Sequence, residues 1–488
     1  MTEEEVRQLK HAYAEIQEQA AEKDQRIEEL EALLKQALRR IEELEGRIAK
    51  NSHNSSKPPS SDGLRRKPHA QRKTSDKPTG GQAGHQGRTL LQVASADEVV
   101  SHRPESCEHC QRDLREVAGS LKERRQIHDL PKLGLWVKEH RVEVVCCPRC
   151  HHVNRGDFPA GVDAPAQYGP NVQALAVYLS QFHLLPMQRT CEVLSDLCEC
   201  ALSEGTLSMW IAQASRSLEP TLQRIKHLLS GGRLQHADET GMRIKGTLHW
   251  THVSCTRWLT YYAWHRKRGK KALESIGIWP HFHGRAMHDR WASYEPYGCA
   301  HSLCGAHLVR DCLYLAEQEQ QEWAQGIADL LLGMAKAAQE WRTRGASAVP
   351  KEEREAWLAQ YFEVLASGFA AQGAHAPPSD ELMPKRRGKP KQSAAKNLLD
   401  VLLQRAGDVL SFLNDLSVPF SNNLAERDLR MIKVQQKISG TFRSEDGATA
   451  FCTIRSYLST MRKQGRPLLA AMAAVFAGSP FSVAWGPG

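Results

Sequence analysis

The stretch Leu-Gln-His-Ala-Asp-Glu-Thr-Gly, residues 234–241, decides the interpretation of this chain because it reads as a short strand that carries an acid, Asp238. A second strand-like run, residues 285–288, leads directly into Asp289, and a third acid, Glu426, lies in a predicted helix start far downstream. Three carboxylates brought together can hold two magnesium ions about 4 Å apart, an arrangement that stabilises both the attacking and the leaving oxygen of a phosphoryl displacement. The sequence therefore predicts a two-metal site at these three acids.

Each acid also has a structural interpretation. Aspartate is common at strand ends, and Asn423-x-x-Glu426 matches a capping box, in which the glutamate bonds back to the N–H of the cap residue. Spacing alone favours this structural alternative. A shared site requires a large insertion between Asp289 and Glu426, and residues 318–418, rich in Ala, Leu, Glu and Gln, are predicted to form it as helices around a basic break at 385–391.

Four motifs relate the chain to a known family. Residues 51–63 read Asn-Ser-His-Asn-Ser-Ser-Lys-Pro-Pro-Ser-Ser-Asp-Gly, 80–87 read Gly-Gly-Gln-Ala-Gly-His-Gln-Gly, 236–240 read His-Ala-Asp-Glu-Thr, and 422–430 read Asn-Asn-Leu-Ala-Glu-Arg-Asp-Leu-Arg. In this order, over nearly the whole chain, they resemble bacterial insertion-sequence transposases of the family numbered sixty-six. The resemblance implies a DDE catalytic core with an RNase H-like fold, in which Asp238, Asp289 and Glu426 are the catalytic acids and bind two Mg (or Mn) ions.

Two further features lie close to these acids in the sequence. Cys304-x-x-His307 resembles a motif often seen in this position of DDE enzymes, but two ligands alone favour packing over a zinc site. Residues 435–442 read Gln-Gln-Lys-Ile-Ser-Gly-Thr-Phe, where members of the family often have Lys-Asn-Trp-Leu-Phe. This difference indicates a divergent branch of the family.

Positive charge follows Glu426 in its predicted helix. Arg427 and Arg430 lie one and four residues after the glutamate, so that the helix presents cations beside the acids. We expect them to bind DNA by holding a scissile phosphate. The alternative is that both arginines pair with Asp428 and other carboxylates of the core.

Composition limits the class of protein. The chain has 488 residues, of which 41% are hydrophobic, and a net charge of +9, which favours an anionic partner. The N-terminus is acidic, and no run of about 18 apolar residues occurs, so neither a signal peptide nor a membrane span is expected. The 13 cysteines are scattered apart from two CxxC pairs, as is typical of reduced thiols. We expect a multidomain, cytoplasmic and nucleoid-associated bacterial protein with no membrane partner.

The first segment, residues 1–50, is predicted to be a coiled coil. Apolar residues step by three and four along it, including Ile27, Leu30, Leu34 and Ile41, and charged residues occupy the other faces. This pattern predicts a homo-oligomer that associates through the seam. The alternative is a single solvated helix packed on its own domain.

The next segment, residues 51–95, is rich in Ser, Pro, Gly, Lys and Arg and is predicted to be a flexible basic arm. Its charge is clustered at Arg65, Arg66 and Lys67 and again at Arg72 and Lys73. Such an arm binds DNA by neutralising phosphates and releasing counterions, without reading base sequence. A solubilising linker is the alternative.

Residues 96–160 are predicted to form a zinc ribbon. The expected structural zinc ligands are Cys107, Cys110, Cys147 and Cys150. Strand-like stretches at 125–130 and 135–145 are expected to form the ribbon between the two pairs. An iron–sulfur site or a redox pair is the alternative, and Cys146 is a competing ligand.

The remainder of the chain is assigned to three regions and a tail. Residues 161–230 are predicted to be helical, with a helix-turn-helix pattern over 188–213 and Ser203 as the cap of its second helix. DNA reading and plain packing both remain open for this pattern. Two segments, 231–317 and 419–475, are predicted to form the RNase H-like core on either side of the helical insertion, and 476–488 is a tail.

Together these features predict a multidomain α/β protein that acts as a DDE transposase. Its expected partners are double-stranded DNA, as transposon ends and as target, further copies of itself, and accessory proteins of the same element. One alternative is a non-catalytic DNA-binding or regulatory protein derived from a transposase. Another is a metal-dependent nuclease that cuts DNA without joining it.

Overall fold

A computed structural model describes residues 23–38, 40–41, 44–45, 90–130, 133–374 and 392–486. Its contacts divide the chain into two compact units, one formed by residues 1–69, 166–190 and 203–488 and the other by residues 70–165 and 191–202. The five basic residues expected in the arm, and the basic break at 385–391, lie outside the described residues. Helices and strands occur together in the chain, so the expectation of a mixed α/β multidomain protein is confirmed.

The described part of the N-terminal segment is helical over residues 23–38, which we call α1. Ile27, Leu30 and Leu34 of the predicted seam expose between 50% and 60% of their surface. Exposed apolar residues at this spacing are typical of a helix whose partner is another chain. The coiled coil and its oligomer stay predictions.

The second unit contains a small antiparallel ribbon. Strand β1, Val144–Cys146, pairs with β2, Val153–Arg155, and Val145 lies opposite Asn154. The strands predicted at 125–130 and 135–145 do not form, apart from the last two residues of the second stretch. Both stretches contain β-prone residues such as Ile127 and Trp136, but these are 94% and 85% exposed, because no neighbouring strand in the described residues pairs with them.

Helices precede the large sheet. They are α2, Pro170–Val177, which continues into a π-helical turn at Tyr178–Phe182, then α3, Met187–Cys198, and α4, Glu204–Ser230. Ser203 caps α4 by accepting a hydrogen bond from the backbone N–H of Thr206, as predicted. The first helix and the start of the second lie within about a turn of their predicted positions, because the cap and the apolar spacing are local signals, whereas α4 continues to Ser230, beyond the predicted end at 213. The role of the pair as a helix-turn-helix stays a prediction.

The large sheet has five strands in the order β5-β4-β3-β6-β7. Its strands are β3, Leu234–Ile244; β4, Thr247–Cys255; β5, Thr260–His265; β6, Arg285–His288; and β7, Ala300–Leu303. Strand β4 is antiparallel to both of its neighbours, β3 and β5, whereas β6 runs parallel to β3 and β7 runs parallel to β6. Strand β3 lies at the centre of the sheet, is the longest of the five strands and carries Asp238.

Helices cover both faces of this sheet. Helix α5, Lys270–Ile276, contributes Leu273 to a cluster with Ala237 of β3, while α12, Asn423–Ser439, and α13, Glu445–Lys463, pack on the opposite face. Burial on both faces explains why Gln235 and His236 are buried despite their polarity. The sheet is a rigid base for any side chain at its edge.

The described residues between the two predicted core segments are mostly helical. After α6, Gly305–Gln318, come α7, Glu322–Thr343; α8, Lys351–Ala374; α9, Ala394–Gln404; α10, Ala406–Val409; and α11, Ser411–Asn414. Leu331, Tyr361 and Leu399 of this insertion share one apolar core with Leu303 of β7 and Leu308 of α6. A last helix, α14, Leu468–Phe476, follows α13. Among the described helices, none has an apolar stretch of the length that a bilayer crossing needs.

Candidate functional site

Strand register brings Asp238 and Asp289 together. Strands β3 and β6 are parallel, with His236 paired to Met287, so two residues further along Asp238 lies level with Asp289 just beyond the end of β6. Paired residues of parallel strands point to the same face of a sheet. The two aspartates therefore face the same region, at the edge where parallel strands end and where α/β sheets commonly bind ligands.

Glu426 enters from α12. The helix begins at Asn423, its cap is Asn422, and the cap residue makes no side-chain cap bond. A capping box requires Glu426 to bond back to the cap N–H, but its buried Oε1 has no hydrogen-bond partner among the described residues. The capping-box interpretation is therefore wrong, and the Glu426 carboxylate is available for another role.

The three acids influence one another electrostatically. Burial raises the pKa of Asp238 well above its ordinary value, and the charges of Glu239, Asp289 and Glu426 raise it further. Burial also raises the pKa of Glu426, an effect that Arg310 and Arg430 oppose and Asp289 reinforces. Buried carboxylates that repel one another are stabilised by a bound cation. The site therefore fits divalent metal ions, for which carboxylate oxygens are the preferred ligands of Mg²⁺ and Mn²⁺.

Asn422 connects the elements that carry the site. Its side-chain N–H donates to the carbonyl of Ala237 at 2.7 Å, its Oδ1 lies 2.9 Å from Nδ1 of His236, and its backbone N–H donates to Sγ of Cys304 at 3.2 Å. Burial lowers the pKa of His236 to about 4, so this ring is neutral at pH 7 and can donate its Nδ1–H to the amide oxygen. One buried amide thus fixes α12 to β3 beside Asp238 and to the start of α6.

A second network supports Asp289 from the other side. Glu239 is buried and accepts from Nε of Arg268 at 2.8 Å and from the hydroxyl of Tyr294 at 2.7 Å. The Arg268 guanidinium also stacks over the ring of Trp291 at 3.8 Å, and the Trp291 backbone N–H donates to Asp289 at 2.9 Å. These contacts hold the loop after β6. Sequence patterns did not indicate this network, because its members are distant in the chain and share no motif.

Cys304, His307 and Glu426 form a second cluster, which shares Glu426 with the three acids. Across the described parts of the chain, they are the only group of three or more His, Cys, Asp or Glu side chains whose ligand atoms all lie within 4.8 Å of one another. Burial lowers the pKa of His307 to about 4 and raises the pKa of Cys304 to about 11. The CxxH pattern in the sequence indicated Cys304 and His307. Glu426 is distant in the sequence and lies beside them because α12 packs against the start of α6.

Arg427 and Arg430, the two cations that follow Glu426, do not pair with Asp428. Asp428 pairs with Lys463 at 2.7 Å and accepts from the Thr260 hydroxyl at 3.0 Å, so the alternative that it pairs with Arg427 or Arg430 is wrong. Both arginines are exposed. Arg430 lowers the pKa of Glu426, which places its positive charge near that carboxylate.

The two CxxC pairs form matching turns in the second unit. The N–H of Gln111 donates to the carbonyl of Cys107 at 2.9 Å, and that of His151 to the carbonyl of Cys147 at 2.8 Å. Hydrogen bonds, led by the backbone N–H of the second cysteine of each pair, lower the pKa of Cys107 and of Cys147. No three of the four cysteine sulfurs in these described turns lie within 4.8 Å of one another. The two turns are present, and the zinc site at these four cysteines stays a prediction.

Comparison with known families identifies the chain. Residues 165–450, more than half of the sequence, match the Transposase IS66 family. The chain therefore belongs to the IS66 family of transposases, as its motifs predicted. Residues 3–90 match a family of unknown function, DUF6444. No curated protein matches the chain.

The solved structures with a similarity to the chain include a viral complex. A chain from the cryo-EM structure of the simian T-cell lymphotropic virus intasome in complex with PP2A regulatory subunit B56 gamma is 12% identical over 33% of this chain and 60% of that one. The match spans less than two thirds of the other chain, and its TM-score is 0.14. A score of this size carries no argument about fold or function.

Proposed function

We propose that this transposase is a DDE enzyme with an RNase H-like core, which cleaves the ends of an insertion sequence and joins them to target DNA. The observation that carries the proposal is the convergence of Asp238, Asp289 and Glu426, seen in the parallel register of β3 and β6 and in the mutual effect of the three charges. Three acids that repel one another in a partly buried site are destabilising without a cation, and the family is one of DNA-processing enzymes.

Asp238, Asp289 and Glu426 would hold two magnesium or manganese ions. When bound, these ions supply Lewis-acid stabilisation of the attacking and leaving oxygens of the phosphodiester. The protein keeps the three acids in place: the sheet fixes both aspartates, and Asn422 fixes the start of the helix that carries Glu426. In the reaction that we propose, water cleaves the transposon end, and the freed 3′ hydroxyl then attacks target DNA.

Other parts of the chain would hold the DNA. Arg430, exposed and close to Glu426, would contact the scissile phosphate, together with Arg427. The basic arm, through Arg65, Arg66 and Lys67 and through Arg72 and Lys73, would neutralise further phosphates. The helix-turn-helix pattern of α3 and α4 would contact transposon ends, and the coiled coil would join copies of the protein at the two ends.

A structural zinc ion would join the two cysteine turns. Cys107 and Cys147 have lowered pKa values, owing to hydrogen bonds from the second cysteine of their own turns, so both are prepared to act as thiolate ligands with Cys110 and Cys150. Binding would stabilise the ribbon of β1 and β2, where pairing is short. This ion supports the fold and takes no part in catalysis.

The proposal is tested with isosteric substitutions in the full chain. Asp238→Asn, Asp289→Asn and Glu426→Gln should each reduce magnesium-dependent cleavage and joining by at least about a hundredfold while DNA binding is kept, because only the negative charge is removed. The control is Glu445→Gln, which removes an acid that pairs with Arg266 at the surface and should retain activity. Full activity of Glu426→Gln would overturn the assignment of Glu426.

The main rival is a non-catalytic DNA-binding protein derived from a transposase. It predicts that the unaltered chain binds the element ends but neither cuts nor joins them with Mg²⁺ or Mn²⁺. A nuclease predicts cleavage without joined products. A single assay on labelled DNA that carries the inverted repeats separates the three functions.

A further inference from the structure

The cluster of Cys304, His307 and Glu426 is built from three places in the fold. Cys304 is the residue that precedes α6, His307 lies in the first turn of that helix, and Glu426 lies in the first turn of α12. Their ligand atoms lie within 4.8 Å of one another. The side chains differ from the carboxylate set of the proposed catalytic site, because they include one sulfur and one imidazole nitrogen.

Two atoms of this cluster lack a hydrogen-bond partner in the part of the chain that the structure describes. Nδ1 of His307 and Oε1 of Glu426 are both buried, and neither has a hydrogen-bond partner among the described residues. They lie 3.7 Å apart, which is too long for a hydrogen bond. Buried polar atoms are nearly always satisfied, and a cation would satisfy both of these atoms when the His307 ring carries its proton on Nε2.

The spacing suits two ligands of one ion. Tetrahedral zinc bonds of about 2.0–2.2 Å to nitrogen and oxygen place those two ligand atoms about 3.4 Å apart. The sulfur of Cys304 accepts a hydrogen bond from the backbone N–H of Asn422 at 3.2 Å, which partly offsets the effect of burial in raising the pKa of this thiol. Such N–H donors stabilise a thiolate that coordinates a metal.

We propose that Cys304, His307 and Glu426 bind one transition-metal ion of the zinc class, distinct from the magnesium ions of the proposed catalytic site. Thiolate and imidazole ligands select zinc or cobalt over magnesium, and three protein ligands leave a fourth position open. Binding releases the thiol proton of Cys304 to solvent. The ion fixes Glu426 through Oε1, and its second carboxylate oxygen stays free. The site is tested by metal content, so its outcome does not depend on the DDE reaction.

The experiment measures cobalt bound per chain after dialysis, together with the sulfur-to-cobalt absorption band. In the full chain carrying Cys107→Ser and Cys147→Ser, which removes the predicted ribbon site, we expect one cobalt ion to remain bound in the presence of excess Mg²⁺. Because the proposed site is intact in this variant, retention of no ion overturns the proposal.

Single substitutions in the same background then locate the ion. Cys304→Ser and His307→Ala should each lose the remaining equivalent and the absorption band that accompanies it. The matched control is Cys312→Ser, which removes another buried cysteine of α6 and should keep both. Equal cobalt content in Cys304→Ser and Cys312→Ser overturns the assignment. If Cys304→Ser does not fold, His307→Ala decides the result in the same way.

Discussion

Asn422 shows how much of the site depends on one side chain. Its amide is buried and bonds to the carbonyl of Ala237 and to the ring of His236, and its backbone contacts Cys304. Ala237, His236 and Cys304 are all buried. The family motif marks the residue in the sequence, but only the packing of α12 on β3 gives it a physical role.

Replacing Asn422 by alanine should destabilise the protein. It leaves two buried groups, the Ala237 carbonyl and Nδ1 of His236, without a partner, and the expected decrease in free energy of unfolding is about 2–4 kcal/mol. Urea unfolding followed by tryptophan fluorescence measures it. The control is Asn423→Ala at the exposed neighbouring position, for which a change within about 0.5 kcal/mol is expected. Equal midpoints for the two variants would contradict the role given to Asn422.

Asp238 should make the metal-free protein less stable as pH rises. Its pKa in the folded state is raised, chiefly by burial, so between its ordinary value and the raised one the folded state holds a proton that the unfolded state has released. The contribution of this residue to stability is therefore greatest in acid and declines as pH increases. Asp238→Asn removes the titrating group, so its melting temperature in EDTA should exceed that of the unaltered chain by a margin that widens with pH.

Thermal scans at several pH values with and without Mg²⁺ test this expectation. Added Mg²⁺ should raise the melting temperature of the unaltered chain more than that of Asp238→Asn, since the ion binds the charged carboxylate. A margin that is independent of pH would show that Asp238 is not the group responsible.

At the scale of elements, the sequence predicted those helices and strands that are specified by signals within a few residues. The strand-like runs at 234–241 and 285–288 and the cap of α4 at Ser203 appear near their predicted positions, because alternation and caps are encoded within a few residues. The strand predicted at 125–130 does not form. A strand also needs a neighbouring strand to pair with, and β propensity alone does not provide one.

The candidate site was predictable in its residues and less so in its surroundings. Asp238, Asp289 and Glu426 were found through motifs, but the salt bridge of Glu239 with Arg268 and the pairing of Asp428 with Lys463 join residues from different elements. Single-sequence patterns carry no information about such contacts. For the same reason, the sequence did not indicate that Glu426 lies beside Cys304 and His307.

The predicted coiled-coil seam of α1 can be tested by changing its exposed leucines. Leu30 and Leu34 are about half exposed, so pairing with further copies would bury them and stabilise the helix. Replacing both by asparagine in the full chain should shift it towards monomer in sedimentation velocity at about 10 μM. Leu33→Asn changes a leucine outside the seam and should leave the oligomer intact; a monomeric unaltered chain would contradict the coiled coil.

At the scale of the whole molecule, charge is distributed unevenly. The net charge is +9, and the basic clusters at Arg65–Lys67 and Arg72–Lys73 lie between the predicted coiled coil and the ribbon. Phosphate contacts from such clusters supply affinity without sequence specificity. We therefore expect the arm to increase the affinity of the protein for any duplex, and the described units to recognise the element ends.

Replacing Arg65, Arg66, Lys67, Arg72 and Lys73 by glutamine should make nonspecific DNA binding less dependent on salt. Each phosphate that the arm no longer neutralises reduces the slope of log affinity against log salt by about 0.9, so replacing all five cations changes the slope by up to about 4.5. A variant with the arm residues shuffled but the same charge should retain the original slope, because counterion release does not depend on residue order. If the glutamine variant keeps the slope of the unaltered chain, the cations that neutralise phosphates lie elsewhere, and Arg427 and Arg430 are the next residues to replace.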